Sequence, residues 1–301
     1  LTNQGLRIES TRFISDSEAE SSHLKWQVEK AEDFRALHHR SHILVLPNAW
    51  DVPSARIFQD AGFPAVATTS AGMMVSLGFP DGELIDMREF LAAVARIARV
   101  VTVPLSVDVV AGFGETPSQV AATVSAVVKA GAIGVNIEDF LHAAKKLFAV
   151  EKQIEKLKAV TRLRESLKIP IVINARTDAL RYADGNDSDR LEEAILRARA
   201  YRDAGADCVY PMGLVDQASI STFVKALNFP TNVMIRKGLP PVKELERLGV
   251  ARLSFGPNAS YAAMGLLRRV SREVLEKGTY DSLLDGAISY DELNALAKPR
   301  A

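Results

Sequence analysis

Lys129-Ala130-Gly131-Ala132-Ile133-Gly134-Val135-Asn136-Ile137-Glu138-Asp139 compresses the architecture of this chain into eleven residues. An amphipathic run, Pro117–Ala130, ends on a glycine suited to the left-handed position that terminates a helix. A short apolar stretch rich in β-branched residues, Ile133–Ile137, follows at once and finishes on two acids. The same junction returns at Ala61-Gly62-Phe63, Ala204-Gly205-Ala206 and Leu248-Gly249-Val250. Working outward, strands are predicted at Ile43–Leu46, Ala65–Thr68, Pro104–Asp108, Ile133–Ile137, Ile171–Asn174, Cys208–Tyr210, Asn232–Ile235 and Arg252–Phe255. Helical patterns such as Val150–Ser166, Arg190–Ala204 and Val242–Leu248 lie between them. Eight such strands, each covered on both faces, predict an α/β fold, a (β/α)8 TIM barrel. No dinucleotide-type glycine loop follows the first strand, which favours the closed barrel over an open doubly wound sheet.

Three segments are expected: a mobile N-terminal arm (1–25), a barrel domain (26–278) and a C-terminal helical extension (279–301) with a short helix at Tyr290–Ala297. The 301 residues carry 37 basic and 37 acidic side chains, so net charge offers no case for nucleic acid or an anionic membrane. No apolar run is long enough to span a bilayer, and residues 1–22 are too polar for a secretory signal. The single cysteine, Cys208, excludes an internal disulfide and fits a reducing, cytoplasmic setting. It lies in an apolar strand and is expected in the core. His38, His39 and His42 precede the barrel and receive no role.

In a barrel of this kind the active site lies at the C-terminal strand ends. Charge is predicted at five of those eight exits, above strand interiors that read as apolar. Asp108 and Glu138 end adjacent strands, where paired carboxylates can hold Mg2+ or Mn2+; the alternative is helix capping, a role Asp139 also suits. Arg176 ends the next strand and can grip a carboxylate, pair with Glu138, or do both.

Thr69-Ser70-Ala71-Gly72 with Ser76-Leu77-Gly78-Phe79-Pro80-Asp81-Gly82, Asp108 with Gly112-Phe113-Gly114, Asn136-Ile137-Glu138-Asp139, and Asn174-Ala175-Arg176-Thr177-Asp178 together resemble the isocitrate lyase/phosphoenolpyruvate mutase superfamily, from about Ile43 to Leu275. The resemblance implies a (β/α)8 barrel, a C-terminal helix exchanged between subunits of a homo-oligomer (dimer or tetramer), and Mg2+-assisted chemistry on a small carboxylic acid through an enolate. By position it implies that Asp108 binds the metal directly and that Asp81 and Glu138 hold its waters. Amides near Ser70 and Ala71 become the oxyanion cradle, and Arg176 the substrate-binding arginine. Two departures stand out. Val110 replaces an acid usual two residues after the metal-binding aspartate. The loop Asp139-Phe140-Leu141-His142-Ala143-Ala144-Lys145-Lys146-Leu147 lacks both the Lys-Cys-Gly-His of isocitrate and methylisocitrate lyases and the mutase-type asparagine.

His142 and Lys145, with Lys146, are candidate proton donors or anion grips on that loop. Arg236 and Asn258, at the seventh and eighth exits, are candidate substrate contacts, while Met212 stands where relatives often carry an acid or base. The leading expectation is a Mg2+-dependent carbon–carbon lyase of a 2-oxo or 2-hydroxy dicarboxylic acid. Phosphonopyruvate hydrolysis or phosphoenolpyruvate mutase chemistry, and a non-catalytic carboxylate-binding barrel, are the alternatives.

Overall fold

The computed structural model describes residues 16–299, with side chains from residue 21. Eight parallel strands form at Leu44–Leu46, Val66–Thr68, Leu105–Asp108, Gly134–Glu138, Val172–Thr177, Cys208–Pro211, Asn232–Met234 and Arg252–Ser254. Each predicted strand is present, and the fifth runs three residues further, which carries Arg176 within the sheet.

Pairing traces a ring. The second to sixth strands pair in sequence, and the eighth lies between the seventh and the first. Two junctions of the ring are irregular. Pro47 has no N–H and splits the first strand: Leu44–Leu46 pairs with Arg252–Ser254, and Asn48–Ala49 pairs with Ala67–Thr68. The carbonyl of Pro47 still accepts from the Ala67 amide at 2.8 Å. The sixth and seventh strands meet through the parallel bridge Val209↔Thr231, where the Val209 amide donates to the Pro230 carbonyl at 3.0 Å. The barrel is therefore closed.

Outward-facing Val107, Val135, Ile137, Ile173 and Val209 are fully buried beneath the helical layer, each contributing roughly 1.5–3 kcal/mol by leaving water. Gly131 ends the helix Pro117–Lys129 at φ +113°, and a Cβ there would lie 2.7 Å from the Cβ of Ala98. Gly205 repeats the arrangement at φ +102° against Thr161; only glycine fits such a turn. The helix predicted from Arg190 starts earlier, at Asp187, because Asn186 and Asp189 form a reciprocal capping box.

The stretch assigned to a mobile arm is corrected in part: a helix, Asp16–Leu37, begins inside it, and residues 1–15 lie outside the described residues. This helix plugs the N-terminal end of the barrel. Phe34 is fully buried against Gly134, where a Cβ would lie 3.0 Å from the ring, and Arg35 Nε donates to Asp207 Oδ1 at 2.9 Å. At the other end of the chain, the helix Tyr290–Leu296 packs on the helix Val52–Asp60, where Arg56 Nη1 donates to the Lys298 carbonyl at 3.3 Å. None of the described helices is long and apolar enough to cross a membrane.

Candidate active site

Asp108 ends the third strand, and its amide donates to Thr68 Oγ1 at 3.1 Å. Three donors pin its carboxylate. Oδ1 accepts from Asn136 Nδ2 at 3.1 Å and from the Val110 amide at 3.3 Å, and Oδ2 accepts from the Ser70 amide at 3.3 Å. Asp81 approaches from the loop after the helix Ser70–Ser76, hydrogen-bonded to the Ser70 side chain. Burial, and then the charge of Asp108, push the Asp81 carboxyl above its ordinary range. Two acids thus share one pocket and repel each other.

Glu138 ends the neighbouring strand and is almost fully buried. Oε2 accepts from Arg176 Nη1 at 2.7 Å, and Oε1 pairs with His142 Nε2 in a very short contact. Burial pushes its carboxyl up to about 7 against the opposing pull of Arg176 and His142. The hydrogen bond to Glu138 in turn raises the pKa of His142. Arg176 also clamps Asp178, through Nε at 2.7 Å and Nη2 at 2.9 Å. The guanidinium is thus committed first to two carboxylates of its own chain.

His142 reaches this centre because its loop is an ordered hairpin. Phe140–Leu141 pairs antiparallel with Lys146–Leu147, and the Phe140 ring stacks on Tyr182 at 4.2 Å. Lys145, with φ 50°, sits exposed at the turn beside a second cleft of about 700 Å3 that Asp81 and His142 also line. Of the three loop candidates, His142, Lys145 and Lys146, only His142 pairs with Glu138.

The remaining candidates divide. Ser70, Ala71 and Arg236 line a pocket of about 240 Å3 with Asp108, Asp81 and Arg176. Asn258 does not line it: Nδ2 donates to the carbonyls of Ile235 and Phe255, both at 2.6 Å, so the side chain ties a loop instead of facing a substrate. Asp139 caps no helix. It is wholly buried, accepting from Thr177 Oγ1 at 2.7 Å, the Asp178 amide at 2.9 Å, Tyr201 OH at 2.7 Å and Arg197 Nη1 at 3.1 Å. Cys208 is core, its thiol pushed up to about 12 by burial. Met212 Sδ accepts from Tyr210 OH at 3.2 Å.

The expectation of an apolar barrel interior is corrected. Ser106, Asn136, Asn174, Asn232 and Ser254 are buried, and all but Asn174 also line the pocket. Asn174 Nδ2 donates to Asn136 Oδ1 at 2.7 Å, and Asn136 donates onward to Asp108. Arg252, fully buried in the eighth strand, lines the same cavity. The signal for this row was present as two-residue alternation: 106 with 108, 136 with 138, 174 with 176, 252 with 254.

With this geometry in place, comparisons with known proteins become specific. The family model described as phosphoenolpyruvate phosphomutase matches residues 34–275. A 2-methylisocitrate lyase of Escherichia coli strain K12 is 30% identical over 272 residues, covering 86% of this chain and 89% of that protein. A Burkholderia cenocepacia J2315 structure, provisionally described as a lyase/mutase, superposes with TM-score 0.83 at 35% identity, covering 90% and 96% of the two chains. A 2,3-dimethylmalate lyase described as a PEP mutase/isocitrate lyase superfamily member gives TM-score 0.77 at 25% identity, covering 89% and 94%. Family model, relatives and barrel agree, and the chain belongs to the isocitrate lyase/phosphoenolpyruvate mutase superfamily.

Proposed function

We propose that this protein is a divalent-metal-dependent lyase that cleaves or decarboxylates a small 2-oxo or 2-hydroxy dicarboxylic acid. The observation that carries the reading is the Asp81–Asp108 pair: two hard carboxylates share one pocket, and the charge of Asp108 raises the proton affinity of Asp81. Such a pair fits Mg2+ or Mn2+, which prefer oxygen ligands and retain water. Glu138 is less available than expected, since Arg176 and His142 take up both its oxygens. No cluster of three acids, histidines or cysteines among the described residues is arranged as a metal cage, so water and substrate oxygens would complete the shell. A cation there would supply positive charge against the enolate oxygen.

The chain's own residues do the rest. The first residues of the helix Ser70–Ser76 and Arg236 orient the carboxylate, and Arg176 pairs with Glu138, pulling against the burial that raises its proton affinity. His142, its proton affinity raised by Glu138, is the acid. In a 2-hydroxy acid the hydroxyl proton passes to a pocket carboxylate and the bond to the neighbouring carbon breaks. The hydroxyl-bearing carbon becomes a carbonyl, and the neighbouring carbon keeps the electron pair and takes a proton from His142. Relatives named as lyases of 2-methylisocitrate and 2,3-dimethylmalate support a carboxylic-acid substrate.

Titrating Mg2+ or Mn2+ with and without oxalate, an enolate mimic, while following thermal stability tests the site. Asp108→Ala should abolish the shift. No shift in the wild type would favour a carboxylate-binding barrel without turnover, a reading that Val110 and Met212 support. Pyruvate release from a panel of 2-hydroxy acids and oxaloacetate would mark C–C chemistry. Phosphate release from phosphonopyruvate would mark the P–C chemistry for which the matching family model is named.

The protein is also proposed to be a homo-oligomer. The helix Asn258–Lys277 exposes Tyr261, Met264, Leu267 and Leu275, and the terminal helix exposes Tyr290, an apolar surface of the kind subunits cover. Light scattering on the purified chain should give a dimer or tetramer.

A further inference from the structure

Arg252 begins the eighth strand, and strand alternation turns it, with Ser254, toward the barrel axis. It is 2% exposed and lines the cavity that Asp108, Asp81 and Ser70 line at the mouth. Other buried arginines have acids beside them: Arg176 has Glu138 and Asp178, and Arg197 has Asp139 and Glu193. Arg252 forms no ion pair among the described residues, and its Nη1 is fully buried without a hydrogen-bond partner. The Phe34 ring lies 5.9 Å from its Cζ. Its electrostatic neighbours Cys208 and Tyr210 are neutral, because burial raises both pKa values. Asp108, the acid that also acts on it, is tied to Asn136, Ser70 and Val110 and does not come within pairing distance.

An arginine does not discharge when buried, so its charge persists where solvation is poor. An uncompensated charge of this kind is among the costliest features a core can hold. The cavity offers an entry path from the mouth, and the flat guanidinium fork matches a carboxylate. We propose that the inner end of this cavity is an anion subsite in which Arg252 receives a carboxylate, with Ser106, Asn232 and Ser254 as neutral polar neighbours. The occupant is the distal carboxylate of the dicarboxylic substrate, a step that rests on the lyase reading; a free monovalent anion would use the same chemistry.

The test follows the melting temperature of the full chain, without divalent metal, as formate replaces a bulky sulfonate at constant ionic strength. Wild type should show a saturable rise and Arg252→Gln none. An oxalate–metal response that fails while the formate response stands would sink the lyase reading and leave the subsite intact. No saturable response in wild type, or the same midpoint in Arg252→Gln, overturns the subsite. Should Arg252→Gln not fold, Arg252→Lys keeps the charge but loses the fork; its formate midpoint should rise at least about fivefold, and an unchanged midpoint is equally fatal. Succinate separates the sources. Binding weakened at least about tenfold in Arg252→Gln assigns the substrate's carboxylate; unchanged succinate binding with lost formate binding assigns a free anion.

Discussion

Glu138 and Arg176 are register partners on adjacent parallel strands, and Arg176 Nη1 donates to Glu138 Oε2 at 2.7 Å. Strand register therefore sets this ion pair, and the bidentate contact to Asp178 fixes the plane of the guanidinium. Arg176→Ala would leave Glu138 and Asp178 buried without their main counter-charge. The expected loss is about 3–5 kcal/mol, the usual effect of removing one member of a buried pair, with Arg176→Lys in between. Urea denaturation at neutral pH measures it; a loss below about 1 kcal/mol would show that the pair is not structural.

The Glu138–His142 contact gives stability a pH dependence of defined sign. Folding raises the proton affinity of both groups, so the folded state holds protons that the unfolded state releases. For Glu138 the contribution is full below its ordinary value of 4.5 and is lost as pH rises to about 7. For His142 it is full below 6.5 and lost as pH rises through the raised folded value. The stability–pH profile of His142→Gln should differ from wild type, because the loss carried by His142 disappears while Glu138, without the imidazole's opposing pull, holds its proton to higher pH. Lys145→Ala, exposed and apart from Glu138, should match wild type. Identical profiles for wild type and His142→Gln would remove His142 from the centre.

Much of this was legible in the primary structure, for physical reasons. The glycine at each helix–strand junction, such as Gly131, is forced by a left-handed turn, and a β-branched run covered on two faces admits little but a parallel strand. Asp108, Glu138 and Arg176 could be placed because strand ends are where such a barrel opens. What stayed hidden depends on direction and partner. Ser106, Asn136 and Arg252 lie within short strands, where burial alone does not separate the barrel axis from the helical layer and only alternation counted back from an end residue such as Asp108 does. The engagement of both Glu138 oxygens, and the loop-tying role of Asn258, follow from side-chain geometry that no spacing encodes.

Val110 has φ 54° and is 1% exposed. A β-branched residue in the left-handed region is strained by about 1–2 kcal/mol. The strain is held by the Val110 amide bonded to Asp108 and by its carbonyl accepting from the Glu138 amide at 2.9 Å. Asn and Asp tolerate this conformation better. Val110→Asp should cost stability without metal, since it buries a third acid near Asp81 and Asp108, yet tighten Mg2+ or Mn2+ at least about tenfold. Val110→Asn relieves the same strain without charge and should leave cation affinity unchanged. Equal affinities in both variants would show that charge at this position is irrelevant to the site.

His38 supplies the opposing pH effect. Its Nδ1 lies 2.8 Å from the Phe34 carbonyl, and its Nε2 is buried without a partner. Burial first, then the charge of Arg252, lower its pKa from 6.5 to about 3. A depressed histidine leaves the folded state reluctant to bind a proton that the unfolded chain accepts. Its contribution is complete above 6.5 and is lost as pH falls toward 3. Between pH 7 and pH 5 that loss amounts to about 2 kcal/mol, while Glu138 and His142 gain stability over the same interval. The informative quantity is therefore the difference between wild type and His38→Gln in paired urea titrations at the two pH values. Wild type should lose about 2 kcal/mol more than the variant. A difference near zero would mean that His38 reaches water in the native state, and that the inner end of the barrel is less sealed than its packing against Phe34 requires.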